Sequence, residues 1–342
     1  MKIGLVGYQG SGKTTLFEWL TGAIADPAVA HIGQTAMAAV PDPRVEPLCQ
    51  VYKPKKITLA SLELVDTPGL SRTHEGNAAR LGVIREAECL VLVVAAFDKS
   101  DPGADLKSFA EDAVLTDLEI VAGRVERLRD SVKKPRPNRD QELVELAALE
   151  QVQTALESGQ PLAAAGMNEE QYKATRSFRL ISEKPMFVLV NTADDDDDQQ
   201  RFAASMPAGQ PWMAVRVGLE RELSKMTPED RTAFEEEMGL SGSRRDELLR
   251  TLLDVSGQML YFTAGEKEVR TWMLRKGGTA LEAAANIHSD LARGFIRAET
   301  TQCDDIIRLG SEREVKAHNL VRQEPKDYVI RDGDILNIKF SV

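Results

Sequence analysis

The sequence predicts an α/β protein: a parallel-sheet core interrupted by a helical hairpin and followed by a small module of one helix against a mixed sheet. Three observations predict it. The short apolar run 1–6 breaks into a glycine-rich loop and then an amphipathic helix, the opening unit of a parallel sheet. Over 104–179, apolar residues recur three or four apart on either side of a proline-containing break. Beyond Met259, short strand-like runs flank a helix that opens on Thr279-Ala280-Leu281-Glu282, a capping box. These patterns place the first part of the sheet domain at 1–103, the helical insert at 104–182, the second part at 183–256 and the terminal module at 257–342.

The loop after the first strand reads Gly7-Tyr8-Gln9-Gly10-Ser11-Gly12-Lys13-Thr14, with Thr15 continuing into the helix. Gly, four residues, then Gly-Lys-Thr, between a strand and a helix, is the pattern that cradles a polyphosphate. Glycines let successive backbone N–H groups curl round the anion without Cβ clashes, and the helix behind adds the positive end of its dipole. Lys13 would neutralise the β- and γ-phosphates, and the Thr14 hydroxyl would ligate Mg²⁺. The competing reading is a glycine-rich turn that happens to precede Lys-Thr; the flanking elements and a second motif further on argue against it. The chain is expected to bind a nucleoside triphosphate, ATP or GTP.

At 342 residues the chain is long enough for two or three domains with a sizeable core. Its net charge of −11 opposes non-specific nucleic-acid binding, so any such contact needs a local basic patch. Cys49, Cys89 and Cys303 lie far apart, suiting a reducing cytoplasm and small buried apolar positions better than disulfides. Entry into a strand at once leaves no room for a signal peptide, and no apolar run reaches membrane-spanning length. His31, His74, His288 and His318 show no zinc-ligand spacing. A cytoplasmic monomer with no membrane contact is expected.

Residues 23–41 have weak periodicity and fit a mobile loop of the kind that closes on Mg²⁺ and the γ-phosphate. Thr35 is the candidate ligand there, set against an exposed threonine without a role. The run 57–65 reads as a strand and ends in Asp66-Thr67-Pro68-Gly69. The Asp66 carboxylate would hold Mg²⁺, and the Gly69 N–H would reach the γ-phosphate and sense its loss. Behind a phosphate loop, this motif favours a GTPase-type switch over a small-molecule kinase. Leu70 follows, where many signalling GTPases carry the glutamine that orients the attacking water. Leucine cannot hydrogen-bond water, so hydrolysis must recruit another group or wait for a partner. His74 and Glu75, in the expected second switch, could reach in; solvated loop side chains are the plainer reading. The run 89–97 is almost wholly apolar, as in a parallel sheet covered on both faces.

In the insert, Leu115, Leu118, Ala122, Val125, Leu128 and Val132 make one helical stripe, and Leu146, Leu149, Val152 and Leu156 another. Two such helices joined through Pro135 and Pro137 read as an antiparallel hairpin. Its mixed charge suggests a solvated face, and its tip (Lys133, Lys134, Arg136, Arg139) is the best local candidate for an RNA contact. The run 185–190 returns to strand and ends in Asn191-Thr192-Ala193-Asp194, where GTPases read the base. Asn191 would tie this loop to the phosphate loop, and Asp194 would accept from the guanine N1–H and exocyclic amine. Thr192 replaces the usual lysine, whose stem would cover the base. The aspartates from Asp194 to Asp198 read as a solvated helix start, with a metal site as the lesser alternative. The run 212–217 would be the last core strand, with Arg216-Val217-Gly218 in the final nucleotide loop, and helices at 228–238 and 243–253 follow. In the terminal module, a hairpin of 259–262 and 268–273, a helix from Thr279 to about Arg293, and strands at 327–330 and 335–340 suggest a β-grasp-like unit. Such units bind partners and carry no catalysis.

Several stretches together carry a resemblance. They are Gly7 to Thr14, Val40-Pro41-Asp42-Pro43-Arg44, Lys53-Pro54-Lys55-Lys56 and Asp66 to Leu70. More specific still are Tyr261-Phe262-Thr263-Ala264-Gly265-Glu266-Lys267-Glu268-Val269-Arg270, Ile287-His288, and Gly294-Phe295-Ile296-Arg297-Ala298-Glu299. Lys326-Asp327-Tyr328 with Asp332-Gly333-Asp334 closes the set. Along nearly its whole length the chain resembles the Obg-like ATPase, or YchF, family of P-loop NTPases. The resemblance implies a Ras-like core, the hairpin insert and a C-terminal TGS domain, the module shared with threonyl-tRNA synthetases. It also implies Mg²⁺-dependent hydrolysis of ATP more than GTP, and association with ribosomal RNA or protein through the insert and the TGS domain. A hydrophobic residue at the glutamine position is a family trait that Leu70 matches. This chain departs from the family at Asp194, where glutamate is usual, and at Arg216-Val217-Gly218, where Ser-Ala or Cys-Ala is common. The first switch and the loop after Phe97 are shortened, and a histidine common after that strand has no counterpart. The Asp194 carboxylate suits guanine while the family favours adenine; ATP is placed slightly ahead.

The leading expectation is a slow NTPase acting as a conformational switch, with Lys13 stabilising transition-state charge. The second is a nucleotide-gated adaptor with little turnover, motivated by Leu70 and the missing histidine. A small-molecule kinase is disfavoured by the motif from Asp66 to Gly69.

Overall fold

The computed structural model describes residues 1–97, 100–162, 165–196, 198–238 and 242–341; Asp197, inside the aspartate run, lies outside the described residues. In chain order the strands are β1 (Lys2–Val6), β2 (Gln34–Ala39), β3 (Ile57–Thr58), β4 (Ser61–Asp66), β5 (Cys89–Ala95) and β6 (Met186–Asn191). They continue with β7 (Trp212–Val215), β8 (Gln258–Ala264), β9 (Val269–Arg275), β10 (Phe295–Gln302), β11 (Arg322–Glu324) and β12 (Asp334–Phe340). The first five helices are α1 (Lys13–Thr21), α2 (Val45–Tyr52), α3 (Asn77–Ile84), α4 (Pro102–Ser131) and α5 (Arg139–Glu157). Among the described residues no helix is long and apolar enough to cross a membrane.

The chain forms two compact units, Met1–Ala36 with Glu63–Ser243, and Met37–Leu62 with Arg244–Val342. In the first unit the sheet order is β2-β4-β1-β5-β6-β7, and β4, β1, β5, β6 and β7 run parallel. Every residue of β5 is buried, as its unbroken apolar run requires in a sheet covered on both faces. The stretch 23–41, expected as loop throughout, contains β2, whose small, alternating residues gave no strong strand signal. The expected strand over 57–65 is two strands, β3 and β4, that join different sheets.

α4 and α5 form the hairpin, closed by Val121, Val125, Leu128, Leu149 and Val152. Two cross-helix ion pairs, Arg124 with Glu145 and Arg129 with Glu150, each at 2.7 Å, set their register. The expected stripe is displaced at its start: Leu115 is largely exposed and Val121, not Ala122, is buried. Helical spacing alone leaves neighbouring apolar faces ambiguous.

The second unit is a sheet in the order β11-β10-β12-β8-β9-β3. The β8–β9 hairpin is antiparallel, as expected. The helix expected from Thr279 breaks at His288 (φ −165°, ψ 140°) into Ala280–Ile287 and Ser289–Arg293, with the capping box in place. No strand occupies 327–330; Val329 makes one bridge to Thr279, and β11 forms the edge beside the unforeseen β10. The aspartates of the closing motif are structural. Asp334, fully buried, accepts from Arg322 and the Tyr328 hydroxyl at 3.0 Å each, and Asp332 accepts from the Leu260 N–H at 3.1 Å.

Of residues 37–62, which group with the terminal module, only β3 joins its sheet, and the division expected at 256 falls at 243. Hydrogen bonding explains the exchange. β3 pairs in parallel with β9, Lys55 N–H donates to the Glu266 carbonyl at 3.1 Å, and Arg44 bridges Asp42 and Asp332 at 2.7 Å each. A two-residue strand has no periodicity of its own, so only its partner defines it.

Candidate functional site

β1 lies between β4 and β5, so its carboxyl end opens at the centre of the sheet, where parallel α/β folds hold ligands. The loop from Gly7 to Lys13 turns there. Gly7 (φ 141°) lies so close to the Val93 carbonyl of β5 that a Cβ would collide with it. Gly12 (φ 97°) lies equally close to the side-chain amide of Asn191. No other residue type fits these two positions without displacing a neighbour. The Ser11 hydroxyl is buried without a hydrogen-bond partner. Lys13, 6% exposed, points Nζ back at the Tyr8 carbonyl, 2.9 Å away. Burial pulls its ammonium pKa down to about 8, with the nearby Asp66 charge opposing the shift.

Thr14 at the start of α1 donates its hydroxyl to Asp66 Oδ2 at 2.8 Å, bringing together the two ends of the expected metal site. The other carboxylate oxygen, Asp66 Oδ1, is buried without a hydrogen-bond partner. A hydroxyl and a carboxylate with an unsatisfied buried oxygen form a hard donor set that fits Mg²⁺. Thr35 is not part of it. It is exposed on β2, and strand alternation turns its neighbour Gln34 the other way, so that Gln34 Nε2 donates to Asp66 Oδ2 at 3.4 Å. The sequence carried no sign that Gln34 was the inward residue, because β2 was not legible.

Beyond Asp66 the chain is stitched to the phosphate loop. Leu70 N–H donates to the Gly7 carbonyl at 3.0 Å and Gln9 N–H to the Leu70 carbonyl at 2.9 Å. Gly69 packs so tightly that a Cβ would stand 3.0 Å from Gln9 Cα. The Leu70 side chain is fully buried, clustered with Val6, Tyr8 and Leu92. It faces the core, not the phosphate side, and its role is packing. Leu70→Gln should therefore destabilise the fold by about 1–3 kcal/mol by burying an amide, and leave turnover no faster; thermal melts and a phosphate-release assay check both. His74 is also engaged elsewhere: its Nδ1 lies 2.7 Å from Asp112 Oδ1 on α4. The Glu75 side chain is exposed.

The base-side loops come together as expected. Asn191 Nδ2 donates to the Ser11 carbonyl at 3.1 Å, and its Oδ1 accepts from the Val217 N–H at 3.3 Å. Thr192 is buried, its hydroxyl without a hydrogen-bond partner, so it points inward and covers nothing. Asp194 directs Oδ1 to the Leu219 N–H at 3.1 Å, against Gly218, and its carbonyl receives Arg216 Nη1 at 3.4 Å. That carboxylate caps the first turn of the helix Val217–Leu223. The second unit holds a separate cavity of about 420 Å³ lined in part by Tyr52, Glu299, Glu312 and Lys316. Its charged groups pair with neighbours, Glu312 with Lys316 at 3.8 Å and Glu299 with Lys339 at 3.2 Å.

The family YchF-GTPase_C, described as "Protein of unknown function (DUF933)", matches residues 259–341, and the family described as "50S ribosome-binding GTPase" matches 2–122. The chain is 32% identical to "Ribosome-binding ATPase YchF" of Bacillus subtilis over 99% of each chain. It is 34% identical to "Obg-like ATPase 1" of Oryza sativa subsp. japonica, covering 100% of this chain and 92% of that one. Its fold superposes on the YchF GTPase of Schizosaccharomyces pombe with a TM-score of 0.85 at 27% identity, over 99% and 97% of the two chains.

Proposed function

The chain belongs to the YchF, or Obg-like ATPase, family, and on that premise we propose that it is a slow Mg²⁺-dependent ATPase that works as a conformational switch on the ribosome. The observation that carries this reading is the convergence of Lys13, Thr14 and Asp66 on a glycine loop hydrogen-bonded to the segment from Gly69 to Leu70. In it, the main-chain amides from Gly10 to Thr14 grip the polyphosphate and Lys13 meets the charge that develops as the terminal phosphoryl leaves. A Mg²⁺ ion held by Thr14 and Asp66 would add neutralising charge there. Gly69, already packed on Gln9, is placed to register whether the γ-phosphate is present. Leu70 is packed in the core and His74 is engaged with Asp112. Intrinsic hydrolysis is accordingly slow and waits for a partner.

The direction of the Asp194 carboxylate supports adenine. An oxygen committed to the Leu219 N–H is drawn away from a guanine N1–H. Asp194→Ala should keep ATP affinity within about twofold, since a contact it does not make cannot be lost. A selective loss of GTP binding in an analogue titration would instead make Asp194 the base reader.

The Bacillus subtilis relative bears the name ribosome-binding ATPase, and the charge distribution fits such a partner. Carboxylates dominate the first unit, whereas lysine and arginine slightly outnumber them in the second. At the hairpin tip Lys133 is paired with Asp130 at 2.8 Å, which weakens that patch. The second unit is the better surface for RNA. The working form is proposed to be a cytoplasmic monomer. Turnover with and without ribosomes tests the reading. Stimulation supports the switch; tight ATP binding with no stimulation supports a nucleotide-gated adaptor, the reading that the buried Leu70 favours.

A further inference from the structure

We propose that the segment after Gly69 is latched to the base of the helical hairpin by Arg72, His74 and Asn77, so that the state of the nucleotide is passed to α4. This rests on the switch reading above and adds the route by which the switch leaves the nucleotide site.

The latch is built on two carboxylates that the hairpin helix buries. Asp105 and Asp112 stand seven residues apart on α4, two turns along one face, and each is less than a tenth exposed. Arg72 meets Asp105 with both Nε (3.2 Å) and Nη2 (2.8 Å), the paired geometry in which a guanidinium holds a carboxylate most firmly. The same guanidinium lies 5.4 Å from the Tyr8 ring in the phosphate loop. At Asp112, His74 Nδ1 stands 2.7 Å from one oxygen and Asn77 Nδ2 donates to the other at 2.8 Å. Asn77 also binds both the N–H and the carbonyl of Ser71, at 2.8 and 2.9 Å, so the segment is a closed loop. His74 takes a left-handed backbone (φ 62°), a conformation non-glycine residues adopt only where their surroundings hold them.

A third carboxylate on α4 does a different job. Asp117, fully buried, receives Arg85 at 2.9 Å and both the N–H (2.9 Å) and hydroxyl (2.7 Å) of Ser182, outside the segment. Asp117 anchors the helix, while Asp105 and Asp112 tie its first turns to the piece of chain that begins at Gly69. A buried carboxylate stripped of its partners is far less stable than a paired one. If Gly69 moves with the γ-phosphate, the start of α4 must follow or the two carboxylates must be exposed. The junction therefore has discrete alternatives, as a coupling element requires.

Hydrogen exchange on the full chain tests this, comparing Mg²⁺ with a non-hydrolysable ATP analogue against Mg²⁺ with ADP. In the wild type, exchange over 102–117 should differ between the two by about fivefold or more, the lower range of measured couplings. In Arg72→Ala/Asp105→Ala, which removes both partners of one pair, that difference should shrink while 66–70 still distinguishes the nucleotides. Arg124→Ala, which breaks only an ion pair within the hairpin, should keep the full response. If 66–70 responds in the wild type but 102–117 does not, the latch is wrong and the switch stands. The latch also fails if the double variant keeps the full difference. Should 66–70 itself not respond, the switch reading falls and takes the latch with it.

Discussion

Lys13→Met should bind neither ATP nor GTP, and without nucleotide it should nonetheless be more stable than the wild type at pH 7. The two effects share one cause. The ammonium is buried against the Tyr8 carbonyl, with Asp66 as its nearest opposing charge. Its pKa is pulled to about 8 from an ordinary 10.5, so between those values the unfolded chain binds more protons than the folded one. Stability contributed at this position is then lowest below pH 8 and rises as pH climbs from 8 towards 10.5. A shift of that size corresponds to about 3 kcal/mol against the folded state, and losing the bond to Tyr8 returns about 1 kcal/mol, leaving a gain of about 2 kcal/mol for Lys13→Met. The gain should close as pH is raised through that window. In the wild type a bound triphosphate favours the protonated lysine, so affinity should fall as pH rises past 8. Calorimetric titration and thermal melts over pH 6–10 measure both. Retained nucleotide binding in Lys13→Met would remove the site; a destabilised, nucleotide-free variant at pH 7 would show that the ammonium is not buried at a penalty.

The second large effect is expected at Gly12→Ala. The left-handed backbone there disfavours a Cβ, and that atom would be driven into the Asn191 amide. Displacing Asn191 cuts its bonds to the Ser11 carbonyl and the Val217 N–H, the brace that joins the phosphate loop to both base-side loops. A loss of about 2–4 kcal/mol in stability is expected from backbone strain and unpaired buried groups, with nucleotide affinity reduced at least tenfold. Asn191→Ala breaks the same brace but also makes room. Gly12→Ala/Asn191→Ala should therefore be less damaging than the sum of the two, the signature of residues in contact. Full additivity in a denaturation cycle would mean that the two side chains do not meet.

Much of the site was legible before any fold was known. Gly7 to Thr14, Asp66 to Gly69 and Asn191 each combine a residue type with a spacing, and their order after successive strands is what made them readable together. The structure does bring them together. Thr35 takes the exposed alternative of its two readings, because strand alternation decides which of two neighbours faces Asp66 and β2 is too weakly patterned to be read from its sequence. Leu70 stood at the usual glutamine position and His74 was weighed as a side chain that could reach in or lie solvated; packing and a carboxylate from another element take them elsewhere. Asp105, Asp112 and Asp117 resembled the solvated charges of a hairpin face. Only burial distinguishes them.

The chain's own sequence determined what is local: a glycine loop that must curl, a strand apolar enough to be covered on both sides, two helices with apolar stripes, a capping box at Thr279. Those follow from steric limits and periodicity within a few turns or residues of chain. The tertiary structure alone decided which long-range partner each weakly patterned piece takes. It sent β3 to the terminal sheet, turned Gln34 toward Asp66, and gave Asp105 and Asp112 of α4 to Arg72, His74 and Asn77. The reason is that a short strand or a lone charge has no internal hydrogen bonds or apolar face to commit it, so its place is settled by whichever distant group satisfies it.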